Sequence, residues 1–199
     1  MSSDIIAGMS SRKRIVIIAD THVGDRSKEL EPALFRAIEQ EQPDMIFHAG
    51  DVCKPEVIQQ LETIAPTLAV QGNRDWFLGH KLPKDYQINI NGLEIALAHG
   101  HFSIWHWFWN YIYLFLTWRV HDNLFFQKKL AQYYPNAEVI IYGHLHYPFD
   151  EIFEGKHFLN PGVGHPEWRN NFRPGYIVLT IEPDASYSTK MKFVNPQSD

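Results

Sequence analysis

The sequence has one cysteine, Cys53, among 199 residues, so no disulfide can form within the chain. It has no excess of basic residues: 18 Lys and Arg stand against 23 Asp and Glu, for a net charge of −5. That balance lacks the polybasic signature of a nucleic-acid binder. The first dozen residues, MSSDIIAGMSSR, lack the apolar core of a signal peptide. They read as a loose tail over residues 1–13. There is no internal repeat and no linker, so a single domain over 1–199 is expected, long enough for a sizeable core. What the chain does have is histidine, 11 of them, and an aromatic fraction of 14%.

Arg14–Ala19 is a continuous apolar run that ends at Asp20 and predicts a buried strand. Residues 27–42 carry Leu30, Leu34 and Ile38 at helical spacing, with Pro32 tolerable in a first turn. Met45–Ala49 is a second short strand, Pro55–Ile64 a second helix, and Thr67–Val70 a third strand. Strand–helix–strand–helix–strand is the pattern of a parallel sheet. Farther on, Tyr86–Ile90 and Leu93–Ala98 flank Asn91-Gly92, a strong two-residue hairpin signal. Strands are also expected at Glu138–Tyr142 and near Pro148–Phe153, Lys156–Leu159, Tyr176–Glu182 and Lys190–Val194. Antiparallel strands added to a parallel half predict an α/β fold, a four-layer α-β-β-α sandwich of two mixed sheets. A helical, aromatic-rich insertion over about 102–134 interrupts it.

Strand after strand ends in a side chain able to ligate. Asp20-Thr-His22, Gly50-Asp51, Gly72-Asn73-Arg74-Asp75, His99-Gly-His101 and Gly143-His144-Leu-His146 each follow an apolar run. In open α/β sheets, sites are built at the carboxyl ends of strands. Singly, each has an ordinary explanation: an Asp caps a helix, a His is a satisfied polar residue, Gly-Asn makes a turn. Five together share no such explanation. Mixed oxygen and nitrogen donors suit Mn²⁺, Fe²⁺ or Zn²⁺ better than Ca²⁺ or Mg²⁺. Seven candidates are too many for one tetrahedral ion, whereas two ions sharing a carboxylate would use them all.

The order D-x-H, G-D, G-N-x-D, H-G-H, G-H-x-H resembles the calcineurin-like metallophosphoesterases. Asn160-Pro161-Gly162 extends the likeness toward their small prokaryotic phosphodiesterase branch. The resemblance implies a binuclear centre in which one ion takes Asp20, His22, Asp51 and His146. The second ion takes Asp51, Asn73, His99 and His144, with Asp51 bridging. It implies two divalent ions, Mn²⁺ foremost with Fe²⁺, Zn²⁺ or Ni²⁺ as alternatives, and attack on phosphorus by a hydroxide held between them. Asn73, Arg74, Asp75 and His101 are the candidate catalytic residues. Many relatives carry His where this chain has Arg74 and use it to protonate the leaving group. Arginine cannot donate a proton at accessible pH but can grip phosphate oxygens. The alternative for Arg74 is a surface salt bridge with Asp75. His101 is then the candidate proton donor, and a diester or pyrophosphate fits better than an alkyl monoester.

His99 leads straight into FSIWHWFWNYIYLFLTW, residues 102–118. Read as a helix, Ile104, Phe108, Tyr111, Phe115 and Trp118 share one face and Trp105, Trp109, Ile112 and Leu116 another. Such a helix, apolar nearly all round, must be covered on several sides. It is too short to span a membrane: about 25 Å against a hydrocarbon core of roughly 30 Å. A single span would also separate His144 and His146 from Asp20. The segment is expected to be an oligomer or core helix, a lid over an apolar substrate moiety, or a peripheral membrane contact. Arg119, Lys128 and Lys129 stand beyond the apolar band, placed to meet anionic head groups. The bacterial UDP-diacylglucosamine hydrolases of the same superfamily are also similar at Gly72-Asn73-Arg74-Asp75 and carry a helical insertion after the matching His.

The leading expectation is therefore a cytoplasmic hydrolase, peripheral to the membrane if residues 102–118 meet lipid, acting on a phosphodiester or pyrophosphate bond. A lipid-linked nucleotide pyrophosphatase with an apolar lid is one alternative. A non-catalytic scaffold of the retromer-subunit type, which shares the fold with degraded ligands, is another. All seven ligand positions are filled here, which favours the enzyme. A nuclease is disfavoured by the acidic balance and the missing basic stripe.

Overall fold

The structure, a computed structural model, describes residues 11–100 and 124–196. Strand β1, Lys13–Ile18, lies between two partners. On one side is the parallel β2, Met45–His48, which itself pairs in parallel with β3, Thr67–Ala69. On the other side β9, Gly175–Ile181, runs antiparallel and carries the antiparallel edge strand β10, Tyr187–Phe193. The first sheet thus has the order β10-β9-β1-β2-β3.

The second sheet also has five strands. Its hairpin, β4 Asp85–Ile90 and β5 Leu93–Ala98, turns at Asn91 and Gly92, both at positive φ as a tight two-residue turn requires. β5 pairs in parallel with β6, Val139–Ile141, and β6 with β8, Lys156–Pro161. β7, Pro148–Phe153, closes the edge antiparallel to β8.

The alternation of side chains along each strand builds the layers. Ile15, Ile17 and Phe47 of the first sheet meet Ile95, Leu97, Val139 and Ile141 of the second in one buried cluster. The opposite faces of the same strands turn outward. Val16, Ile18 and Ile46 pack under two helices, α1 Pro32–Gln40 and α2 Pro55–Glu62, through Leu34, Ile38, Val57 and Leu61. Ala96, Ile140 and Phe158 pack under Leu130 and Tyr134 at the helix over Leu124–Tyr133. The sequence expectation of two mixed sheets with helices outside is what the structure has.

Boundaries moved where local chemistry overrode periodicity. The helix expected over 27–42 begins only at Pro32, because Glu31 caps it by accepting from the Ala33 amide. Residues 25–27 instead fold back, all three amides converging on the His22 carbonyl. A short helix that periodicity did not predict, α3 Asn73–Phe77, starts inside the Gly72–Asp75 motif. The helix over Leu124–Tyr133, the fourth in chain order, is α4. His101 and the aromatic run 102–118 lie outside the described residues. Among the described residues, no helix is long and apolar enough to cross a membrane.

Candidate metal centre

The carboxyl ends of β1, β2 and β3 in one sheet and of β5, β6 and β8 in the other open onto the same place. Backbone bonds knit them together: Asp20 N donates to Gly50 O at 2.9 Å, His22 N to Asp51 O at 3.0 Å, and Gly164 N to Ala19 O at 2.9 Å. His144 N donates across the two sheets to Asp20 Oδ2 at 3.0 Å, and within the second sheet Asn160 Nδ2 donates to Gly143 O at 2.9 Å.

The loops are strained there. Asp20, His22, Asp51, Cys53, His144 and His146 all have positive φ, six of the twelve such non-glycine residues among those described. Each costs about 1–3 kcal/mol and persists only where the surroundings fix it. Two glycines make room. A Cβ on Gly72 would lie 2.0 Å from Asp51 Oδ1, and one on Gly50 2.6 Å from His99 Nδ1.

All seven residues expected as ligands come together. Asp20 Oδ1 faces His146 Nε2 at 3.4 Å and His22 Nε2 at 3.8 Å, and the two Nε2 atoms stand 3.1 Å apart. Asn73 Oδ1 lies 3.1 Å from His99 Nε2 and 3.0 Å from His144 Nδ1. Between these groups, Asp51 Oδ2 is 3.6 Å from both His22 Nε2 and His99 Nε2. Asp20, His22, Asp51 and His99 are almost wholly buried.

This arrangement fits cations better than it fits itself. Asp20 Oδ1 is buried without a hydrogen-bond donor, which is costly for a carboxylate. Two imidazole nitrogens at 3.1 Å need a proton or a cation between them. Burial drives His22 down to about 3 despite Asp20, leaving it a neutral donor. Burial also opposes charge on His146, but Asp20 and Glu167 outweigh it and raise it to about 9, so these surroundings favour positive charge. Burial lifts Asp51 to about 6 against the pull of His99. Burial likewise works against the Asp20 charge, yet His146, His99 and His22 hold its carboxyl well below the usual range. Mixed carboxylate, amide and imidazole donors suit first-row divalent ions.

Sequence reading missed the groups that aim these donors. His146 Nδ1 lies 2.8 Å from Glu167 Oε2, His22 Nδ1 3.3 Å from Asp25 Oδ2, and His99 Nδ1 2.7 Å from Ala49 O. These three acceptors stand behind Nδ1 while Nε2 points inward, the arrangement that outer-shell partners give metal-binding histidines. Glu167 in turn pairs with Arg26 at 3.3 Å and with Arg169. His165 donates Nδ1–H to the Asp20 carbonyl at 3.1 Å. Asp25 lay in plain sight five residues after Asp20, whereas Glu167 carries no motif signal.

The remaining candidates separate. Asp75 is wholly buried and accepts from the amides of Cys53 at 2.7 Å, Gly72 at 2.8 Å and Val52 at 3.3 Å. Its carboxylate is thus turned toward backbone rather than solvent. Arg74 N donates to Asp51 Oδ1 at 2.8 Å. Its guanidinium pairs with Asp25, not with Asp75: Nε and Nη2 each donate at 2.9 Å. The candidate proton donor His101 lies outside the described residues.

Two packed mixed sheets whose strand ends gather buried oxygen and nitrogen donors place the protein in the class of metal-site α/β folds. Residues 14–184 match the calcineurin-like phosphoesterase superfamily domain, and the chain belongs to that family. It is 33% identical over 168 residues to a probable metallophosphoesterase of Methanothermobacter thermautotrophicus, covering 84% of this chain and 86% of that protein. Among solved structures it is similar to Vacuolar Protein Sorting 29 of Cryptosporidium parvum, with TM-score 0.67 and 18% identity over 92% of this chain and 98% of that one. It is also similar to an archaeal phosphodiesterase, with TM-score 0.54 and 21% identity over 90% and 99% of the two chains. At such identities these two structures show the shared fold alone.

Proposed function

We propose that the chain is a phosphodiesterase or pyrophosphatase working with two divalent ions, Mn²⁺ foremost. The observation that carries this reading is Asp51, whose Oδ2 stands 3.6 Å from an imidazole of each donor group. Asp20, His22, Asp51 and His146 would hold one ion, and Asp51, Asn73, His99 and His144 the other. Such ions, when bound, activate water and neutralise charge on a phosphoryl group. The chain's own part is orientation and charge. Asp25, Glu167 and the Ala49 carbonyl fix three imidazoles. Asp75 ties the Gly72 turn to the Val52-Cys53 loop through three amides. Arg74 presents a permanent positive charge at the rim, where it would grip a non-bridging phosphate oxygen. It cannot protonate a leaving group, which favours diesters and pyrophosphates over alkyl monoesters.

Exposed aromatic residues close in the chain to Asp75 and Glu167 support a substrate with an apolar moiety. Trp76 follows Asp75 in α3, Trp168 follows Glu167, and the Phe172 amide donates to the Glu167 carbonyl at 2.7 Å; all three are about half exposed. The test is hydrolysis by the Mn²⁺-loaded protein of bis(p-nitrophenyl) phosphate, p-nitrophenyl phosphate and a nucleoside diphosphate carrying an acyl tail. The diester and the tailed pyrophosphate should turn over, and a chelator should stop both. Turnover of the monoester alone would contradict the reading.

The shared fold with Vacuolar Protein Sorting 29 favours one second reading, a scaffold that binds partners through apolar surface. A scaffold would show no chelator-sensitive turnover of any of the three substrates.

A further inference from the structure

Asp25 touches two parts of the site at once. Its carboxylate takes both donors on one edge of Arg74, Nε to Oδ2 and Nη2 to Oδ1, each at 2.9 Å. Its Oδ2 also faces the back nitrogen of His22 at 3.3 Å. The only other group near that nitrogen among the described residues is the Cys53 thiol, at 3.8 Å, a weak partner. Arg26 adds a looser contact to the same oxygen, 3.9 Å from its Nε. Asp25 is itself held, because its amide donates to the His22 carbonyl at 3.0 Å.

Arg74 is tied at both ends. Its backbone amide holds Asp51 Oδ1 at 2.8 Å while its side chain is forked by Asp25. A bidentate Arg–carboxylate pair fixes the plane of the guanidinium as well as its place. Without it, a side chain about 40% exposed would sample many rotamers.

We infer that Asp25 is a positioning residue that serves both functions: it orients His22 toward its ion and holds Arg74 in the pose that meets the phosphate. The inference rests on the reading of His22 as a metal ligand. It goes beyond that reading by joining metal affinity and phosphate grip in one carboxylate. Removing Asp25 should therefore damage both, whereas removing Arg74 should damage only the second.

The test is calorimetric titration of Mn²⁺ into the metal-free full-length wild type, Asp25→Ala and Arg74→Ala. It is paired with NMR observation of the Arg74 Nε–H resonance, assigned by its loss in Arg74→Lys. Asp25→Ala should weaken Mn²⁺ binding roughly 10–100-fold and broaden away the Nε–H resonance, while Arg74→Ala keeps Mn²⁺ affinity within about 2-fold. Should Asp25→Ala not fold, Asp25→Asn replaces it. The amide keeps the shape but cannot accept from both partners, so both effects should persist in the same direction. Wild-type Mn²⁺ affinity in the Asp25 variant, or an unchanged Nε–H resonance, would overturn the inference. A wild type that binds Mn²⁺ but cleaves no phosphodiester would overturn the proposed reaction and leave this inference standing.

Discussion

His146 Nδ1 stands 2.8 Å from Glu167 Oε2, behind the row of inward-facing donors. The carboxylate comes from the loop after β8, outside the five motifs, and it fixes which nitrogen of His146 faces Asp20. Burial disfavours the Glu167 charge, but the bonds from His146 and Arg169 outweigh it and hold the carboxyl at about 2. It is therefore an anion throughout the neutral range. Glu167→Ala should lower Mn²⁺ affinity roughly 10–100-fold, with Glu167→Gln intermediate, as measured by titration calorimetry. Unchanged affinity in Glu167→Ala would reduce the contact to surface packing.

Arg74→Ala should lower kcat/KM for a phosphodiester by roughly 10²–10³, the scale of losing one charge-stabilising donor. Arg74→His restores a proton donor and should shift preference toward monoesters. Steady-state kinetics on bis(p-nitrophenyl) phosphate and p-nitrophenyl phosphate measure both effects.

Gly72→Ala should destabilise the fold and disturb the site together. The added Cβ would sit 2.0 Å from Asp51 Oδ1 and 2.3 Å from its backbone nitrogen. Overpacking costs about 1–3 kcal/mol, and the backbone atom cannot rotate away. A thermal melt should show a clear drop in Tm, and Mn²⁺ titration should show loss of binding.

Far from the site, Glu41 gathers Arg14, Lys192 and the Tyr176 hydroxyl, the last at 2.9 Å. Burial raises its carboxyl, but the bonds from Lys192, Arg14 and Tyr176 win and lower it below the ordinary 4.5. A lowered folded-state pKa gives stability that is present above the unfolded value and lost as pH falls through the folded one. Glu41→Gln should therefore cost about 1–2 kcal/mol at pH 7, because Arg14 and Lys192 remain partly solvated. That cost should shrink at pH values below about 4. Urea denaturation at several pH values measures it. A deficit independent of pH would assign the effect to packing.

The sheets were legible because Arg14–Ala19, Met45–Ala49 and Leu93–Ala98 are apolar runs or alternations ended by Gly, Asp or His. The hairpin at Asn91-Gly92 was legible because that dipeptide accepts positive φ at both positions. The seven inward donors were legible because each follows a strand that the hydrophobic pattern already marks. Helix α1 began late because a Glu cap and a Pro outweighed the periodicity of Leu30. Glu167 and His165 could not be read, because only the packing of the second sheet against the first brings their loop to Asp20. The salt bridge to Asp75, the alternative weighed for Arg74, is not what the structure has: the guanidinium pairs with Asp25. Asp75 is next in sequence, but its carboxylate is taken by the amides of Gly72, Val52 and Cys53.

Asp51 is the one carboxylate proposed to serve both donor groups. Elemental analysis of Mn²⁺-reconstituted wild type and Asp51→Asn, after removal of free metal, tests that role most directly when paired with phosphodiester hydrolysis on the same samples. The wild type should hold two ions per chain with chelator-sensitive turnover, and Asp51→Asn fewer than two ions with no turnover. Two retained ions and full activity in Asp51→Asn would contradict that role.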